Sequence, residues 1–169
     1  MDRAAPRATR LPPRWFIRFA WMAHRAIYRL SGGRLGLSAP KAGGWGTMRL
    51  VTTGRRTARK RIAILGYYED GPNLVTMAMN GWASDEPAWW LNLQAHPDAM
   101  VDLAGGPRPV RARAAEGEER ARLWARWCEV GTDVDAFAAR RPSGTAVVVL
   151  EPRPPADPSD PPNAPGGPR

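Results

Sequence analysis

The densest group of residues able to do chemistry is basic. The segment TTGRRTARKRIAI begins at Thr52 and carries several cations between Gly54 and Ile62. Guanidinium groups bind phosphate and carboxylate groups through paired hydrogen bonds. A glycine turn between two strand-like runs would gather these cations at one rim of a β structure. The segment therefore predicts a clamp for an anionic ligand, and a solvated hairpin is the alternative. The candidate clamp residues are Arg55, Arg56, Thr57 and Arg61.

A second candidate segment, AMNGWASDEPAWWLNLQAHP, runs from Ala78 to Pro97. A strand end there delivers backbone amides to a loop, and a helix bearing Trp89, Trp90 and Asn92 follows. Backbone at such a place can meet a planar ring. Tryptophan is also a common core residue, so ordinary core packing remains the alternative.

Other chemistries find little support in the sequence. Cys128 is the only cysteine, and His24 and His96 are the only histidines, so neither a disulfide nor a metal site is expected. No dinucleotide fingerprint, phosphate-binding P-loop or nucleophile elbow is present. The net charge of +9 is nearly all arginine. The aromatic residues lie in apolar runs and not among the cations, which argues against a nucleic-acid partner.

The elements that must position these residues are mostly strands. Alternating or apolar runs bounded by turn residues predict six strands, at 48–53, 61–68, 73–79, 99–104, 108–115 and 144–152. Helices are predicted at 87–95, where Pro87 can open the first turn, and at 116–130. We expect an α+β, mainly β domain, built as a small barrel over residues 47–152.

The flanking segments have different compositions. Residues 1–13 predict a disordered arm, and residues 14–30 predict a basic amphipathic helix that either packs on the domain or contacts a membrane surface. Residues 31–46 form a glycine-rich connection, and the proline-rich residues 153–169 predict a disordered tail. No run of about 20 apolar residues is present to span a bilayer. We expect a cytoplasmic protein, with peripheral contact to the inner face of the membrane left open.

Three motifs together resemble a known family. TTGRRTARKR, EPAWWLNLQAHP and VVVLEP are similar to the TTGRKTGxPR, N-P-x-W-Y-L-N-L-x-A-N-P and VVV-x-EP patterns of the deazaflavin-dependent nitroreductases and F420H2-dependent quinone reductases. The resemblance covers residues 15–152. It implies a split β-barrel of the flavin-binding oxidoreductase type with short peripheral helices, and it implies coenzyme F420 as cofactor.

The same resemblance implies a set of binding residues. The basic segment would hold the phosphate and glutamate tail of the coenzyme, and the strand ends and helix would line the deazaflavin ring. No proton-transfer residue is implied, because the reduced deazaflavin carries its own hydride. The implied cofactor-binding residues are Arg55, Arg56, Thr57, Arg61, Ile62, Ala63, Met77, Ala78, Met79, Asn80, Trp89 and Asn92.

The sequence also departs from the family pattern. The family's Asn-Pro-Leu-Tyr is replaced by residues 63–66, AILG, and its Ser-Lys by Met79 and Asn80. The tyrosine-rich lid of some members is replaced by VGTDVDAFAARR. We expect hydride transfer from reduced F420 to a quinone-like or other flat, electron-poor small-molecule acceptor. A non-catalytic binder of a lipid or cofactor on the same barrel is the alternative. The oligomeric state is open, a homodimer included.

Overall fold

The computed structural model describes residues 36–79, 85–131, 134–139, 141 and 144–154. The strands are β1 (Gly46–Thr53), β2 (Lys60–Asp70), β3 (Asn73–Met77), β4 (Asp98–Leu103), β5 (Gly106–Ala114) and β6 (Val147–Pro152). The helices are α1 (Ala88–Ala95), α2 (Gly117–Val130) and α3 (Val134–Ala138). The predicted mainly β domain is confirmed.

The strands close into an antiparallel barrel in the order β1-β2-β3-β6-β5-β4. Two-residue turns join β2 to β3 and β4 to β5, since Asp70 pairs with Asn73 and Leu103 pairs with Gly106. Because neighbouring strands run in opposite directions, the ends of β1, β3 and β5 meet the starts of β2, β4 and β6. We call this the basic end of the barrel, because the loop between β1 and β2 lies there.

Burial along the strands follows from the two faces of the barrel. In β1, Met48 and Leu50 point inward and are fully buried, and every second residue of the strand, such as Arg49, is partly exposed. In β6, four successive residues are buried, because Val148 and Leu150 fill the interior while Val147 and Val149 pack under a helix. A short apolar run without alternation is expected where both faces of a strand are covered.

Helix α2 is the element that covers the outside of β6. Its buried residues Leu123 and Trp127 pack with Tyr68 and Val75. The Tyr68 hydroxyl donates to the Leu123 carbonyl at 2.9 Å, and its ring meets Trp127 edge to face at 5.1 Å. Helix α1 instead packs its two tryptophans and Leu93 into the interior cluster.

The limits of the predicted strands and helices differ from those in the structure by one to three residues. The third strand ends at Met77 and not at residue 79, and the last strand begins at Val147 and not at residue 144. In both places the chain turns at the basic end of the barrel and leaves the ladder. The glycine-rich connection is partly structured, since Ser38 makes a β-bridge with Thr47. The predicted helix at 14–30 and residues 155–169 of the predicted tail lie outside the described residues.

Candidate functional site

The basic loop, residues 54–59, joins β1 to β2 and folds back on itself. The Gly54 N–H donates to the Arg59 carbonyl at 2.9 Å, and the Ala58 N–H donates to the Gly54 carbonyl at 2.8 Å. Ala58 adopts a left-handed conformation with φ of +53°. A Cβ atom at position 54 would lie 2.9 Å from the Arg59 carbonyl oxygen. Glycine is therefore needed at position 54 for the loop to close in this form.

Asn92 of α1 fixes the orientation of this loop. Asn92 is 4% exposed, and its Oδ1 atom accepts the Arg55 N–H at 3.2 Å. Its Nδ2 atom donates to the Thr52 hydroxyl oxygen at 3.2 Å. A backbone N–H can only donate, so these partners determine which way the amide points. A buried side chain of one element thus sets the position of the exposed cations of another.

The cations of the loop region lack acidic partners among the described residues. The exposed side chains here are Arg55, Arg56, Arg59, Lys60 and Arg61. Their hydrogen bonds are few and long: Arg61 Nη2 to the Thr57 hydroxyl, and Arg55 Nη1 to Asn92 Oδ1, each at 3.5 Å.

Arginines elsewhere in the barrel behave differently. Those that pair with a carboxylate are Arg49, Arg111, Arg113, Arg122, Arg126, Arg141 and Arg153. Like charges gathered on one loop repel one another, and an anion bound among them removes that cost. The unpaired cations of the loop are compatible with the anion clamp that the sequence predicts.

The chain leaves β3 through a three-residue turn centred on Ala78. The Met79 N–H donates to the Met77 carbonyl at 2.8 Å, and the Ala78 N–H donates to the Ala146 carbonyl at 2.9 Å. The Ala78 carbonyl in turn accepts from Arg141 Nη1 at 2.7 Å. Both backbone polar groups of Ala78 are held, at the same end of the barrel as the basic loop.

The structure divides the expected ring-lining residues by burial. Ile62 is 52% exposed, whereas Met77 and Ala78 are 3% and 0% exposed. Trp89 is 8% exposed and meets Trp90 edge to face at 6.3 Å inside the core. The buried residues can only support a binding surface from behind. Ala63 and Met79 are half-buried, and Asn80 lies outside the described residues.

Gly66, which stands where the family pattern has tyrosine, lies beneath Trp45. A Cβ atom at Gly66 would be 3.3 Å from Cε3 of the Trp45 ring. The indole is 53% exposed. An aromatic surface is therefore present on this part of β2, although it comes from a different residue.

Two cavities border the barrel. One, of about 400 Å³, lies at the basic end and is lined by Glu86, Trp90, Gln94, Ala114, Arg120, Gly144, Thr145 and Ala146. The other, of about 290 Å³, lies at the opposite end beside Tyr67 and Arg108. Burial, with a smaller effect of Glu69, raises the pKa of Tyr67. The Tyr67 phenol therefore stays protonated at neutral pH.

Within the described ranges, no group of three His, Cys, Asp or Glu side chains is placed to hold a metal ion. None of the helices in these ranges has the length and hydrophobicity to cross a membrane.

The sequence did not reveal two polar residues of this region. Arg141 is fully buried in its side chain and forms an ion pair with Glu86 at 3.4 Å. In the sequence, Arg141 looks like an ordinary surface arginine. Only its hydrogen bond to Ala78, which is 63 positions away in the chain, distinguishes it from the other arginines. Glu86 occupies an asparagine position of the resembling pattern, which was the one available signal.

A closed six-stranded barrel with short helices and an unpaired basic loop at one end is the form of a cofactor-binding oxidoreductase of the split-barrel class. Comparison with known proteins specifies the class further. Residues 21–152 match the family model of the F420H(2)-dependent quinone reductases. The chain belongs to this family. It is accordingly an F420-dependent oxidoreductase, with coenzyme F420 as its cofactor.

Individual relatives agree with this placement. An F420H(2)-dependent quinone reductase of Mycobacterium tuberculosis H37Rv is 34% identical over 103 residues, which cover 60% of this chain and 68% of the relative. Another protein of that strain is 33% identical over 107 residues, covering 63% of this chain and 90% of the relative.

Among solved structures, an F420-H2 dependent reductase matches with a TM-score of 0.58 and 24% identity, over 69% of this chain and 100% of that one. A chain from a domain-swapped dimer matches with a TM-score of 0.61 and 23% identity, over 79% of this chain and 99% of that one. At these identities the two structures support the fold, and they confirm the split barrel.

Proposed function

We propose that this protein transfers a hydride from reduced coenzyme F420 to a quinone-like or other flat, electron-poor acceptor. The observation that carries the proposal is the set of exposed cations on and beside the basic loop that have no carboxylate partner among the described residues. Coenzyme F420 carries a phosphate and a glutamate tail, and unpaired guanidinium groups fit both anions.

The residues of this chain would act by binding and orientation. Arg55, Arg56 and Arg61 would hold the phosphate and carboxylate groups, with the Thr57 hydroxyl as a further hydrogen-bond partner. Asn92 would keep the loop turned toward the ligand, because it already fixes the Arg55 backbone. Each charged hydrogen bond contributes about 1.5–3 kcal/mol. Two or three of them, about 3–9 kcal/mol before ordering costs, would account for much of a micromolar affinity, which corresponds to about 8 kcal/mol.

The ring of the coenzyme would lie against the strand ends next to this loop. Ile62 offers exposed apolar surface beside this loop, and the turn at Ala78 lies at the same end of the barrel. When bound, the reduced coenzyme would supply a hydride, which brings two electrons and one proton, and one further proton from water would complete the conversion of a quinone to a hydroquinone. The barrel's contribution is geometry, since orientation of two bound partners lowers the barrier without a proton-transfer residue.

The first test is a fluorescence titration of the protein with F420, run beside flavin mononucleotide and at several salt concentrations. We expect saturable binding of F420 that weakens with salt, because exposed charges are screened over about 8–10 Å at physiological ionic strength. Arg55→Glu/Arg56→Glu should abolish this binding and leave the thermal midpoint nearly unchanged. Arg111→Glu is the matched control, since this exposed arginine lies on β5. Unaltered binding by the double variant would remove the loop from the site.

The second test is turnover. Reduced F420 should be oxidised by added menadione in the presence of the protein, at a rate proportional to enzyme concentration. A binder of a lipid or cofactor without turnover is the competing function, favoured by Gly66 and Asn80 at positions where the family pattern has a tyrosine and a lysine. Tight F420 binding with no oxidation by any quinone would select that alternative.

A further inference from the structure

We propose that Arg141 is a positioning residue for the deazaflavin ring, acting through the Ala78 carbonyl at the end of β3. The inference rests on the proposed function, because it assigns the turn at Ala78 to the support of the bound coenzyme. Arg141 itself does not touch the coenzyme in this arrangement, since its side chain is 0% exposed.

The first argument is the place of the guanidinium in the fold. Arg141 follows α3 and precedes β6, and it reaches the end of β3 through Nη1 at 2.7 Å from the Ala78 carbonyl. Its Nη2 atom lies 3.4 Å from a carboxylate oxygen of Glu86, just before α1. One side chain thus joins three segments that meet at the basic end of the barrel.

The second argument is the energetic cost of this placement. A buried charge is expensive unless it is paired and hydrogen-bonded. Within the part of the chain that the structure describes, neither the Nε atom of Arg141 nor the Oε2 atom of Glu86 has a hydrogen-bond partner, although both atoms are buried. A leucine or methionine would fill the same space without these costs, so packing alone does not account for the arginine. What the arginine adds is a charged donor to one particular carbonyl.

The third argument is what that carbonyl controls. Ala78 is the centre of a turn in which the Met79 N–H bonds back to the Met77 carbonyl. The Ala78 carbonyl shares its peptide unit with the Met79 N–H, so without Arg141 this unit would be held only through that N–H. A buried carbonyl without a donor reorients toward another partner. That movement would carry Met79 with it and disturb the surface against which the ring is expected to lie.

The test uses the full-length protein and separates stability from positioning through three variants. Glu86→Gln keeps the Arg141 donor but removes its counter-charge, so the thermal midpoint should fall while the F420 dissociation constant changes less than about threefold. Arg141→Met removes the donor and leaves the Glu86 carboxylate unpaired, so both quantities should worsen. Arg141→Met/Glu86→Gln removes both charges, so the thermal midpoint should recover while F420 binding stays about tenfold weaker.

Arg122→Met is the matched control, because it removes an arginine–carboxylate pair with Asp70 at the other end of the barrel. It should leave F420 binding unchanged. A dissociation constant that simply follows the thermal midpoint across all variants would make Arg141 a stability residue and overturn the proposal. Failure of the parent protein to bind F420 would refute the proposed function itself, which separates the two outcomes.

Discussion

Replacement of Asn92 by leucine tests whether a buried amide controls the basic loop. Asn92 is 4% exposed and links Arg55 N–H and the Thr52 hydroxyl, each at 3.2 Å. Leucine has a similar volume and removes both hydrogen bonds. Thr52 is 1% exposed and loses its donor, whereas the Arg55 N–H can turn to water on the exposed loop. One buried polar group left unsatisfied costs about 1–3 kcal/mol of unfolding free energy.

The two readouts are urea unfolding and F420 titration. We expect Asn92→Leu to lower the unfolding free energy by about 1–3 kcal/mol with an unchanged m-value. F420 affinity should fall by more than tenfold, because the loop loses its only side-chain link to α1 within the described residues. Asn92→Asp is the informative comparison, since a carboxylate still accepts from the Arg55 N–H and cannot donate to Thr52. Full F420 affinity in Asn92→Leu would refute the view that α1 orients the loop.

Three further predictions concern single groups. Gly54→Ala should weaken F420 binding and destabilise the fold by about 1–3 kcal/mol, because its Cβ would lie 2.9 Å from the Arg59 carbonyl oxygen; equal F420 affinity in a titration would contradict this. The hydrogen bond from Arg122 lowers the pKa of Asp70, so this pair contributes stability above the unfolded pKa of about 3.9 and loses it as pH falls through the folded value. Asp70→Asn should therefore lower the thermal midpoint slightly at pH 7, and the difference from the parent protein should shrink as pH falls through the folded pKa of Asp70. Burial raises the pKa of Cys128, so iodoacetamide should modify it more slowly at pH 8 in the native protein than in urea.

Local chemistry made the strands and the basic loop predictable. Apolar alternation in β1 and β2 has a period of two, and Gly54 followed by cations can only be a turn, so these assignments needed no knowledge of the partner strands. The buried run at β6 was also recognisable as a strand. The two layers that cover this strand could not be predicted, because a run of valines carries no information about which element packs on each of its faces.

The candidate site was likewise predictable only in part from the sequence. The cations and Asn92 were visible as residue types in a motif, but their relation was not, since Asn92 and Arg55 are 37 positions apart. Ile62 is exposed and Met77 is buried, although the family resemblance implied the same cofactor-binding role for both residues.

By itself, the sequence determined what depends on near neighbours: the strand periodicity, the turn at Gly54 and the concentration of arginine in one loop. Only the tertiary structure decided which arginines remain free of carboxylates and which one is taken into the interior. Arg141 and Arg55 are identical in type, and their surroundings differ because one meets Ala78 and Glu86 across the barrel end while the other projects from a loop. Contacts between residues distant in the chain set charge pairing and burial, and no local pattern encodes them.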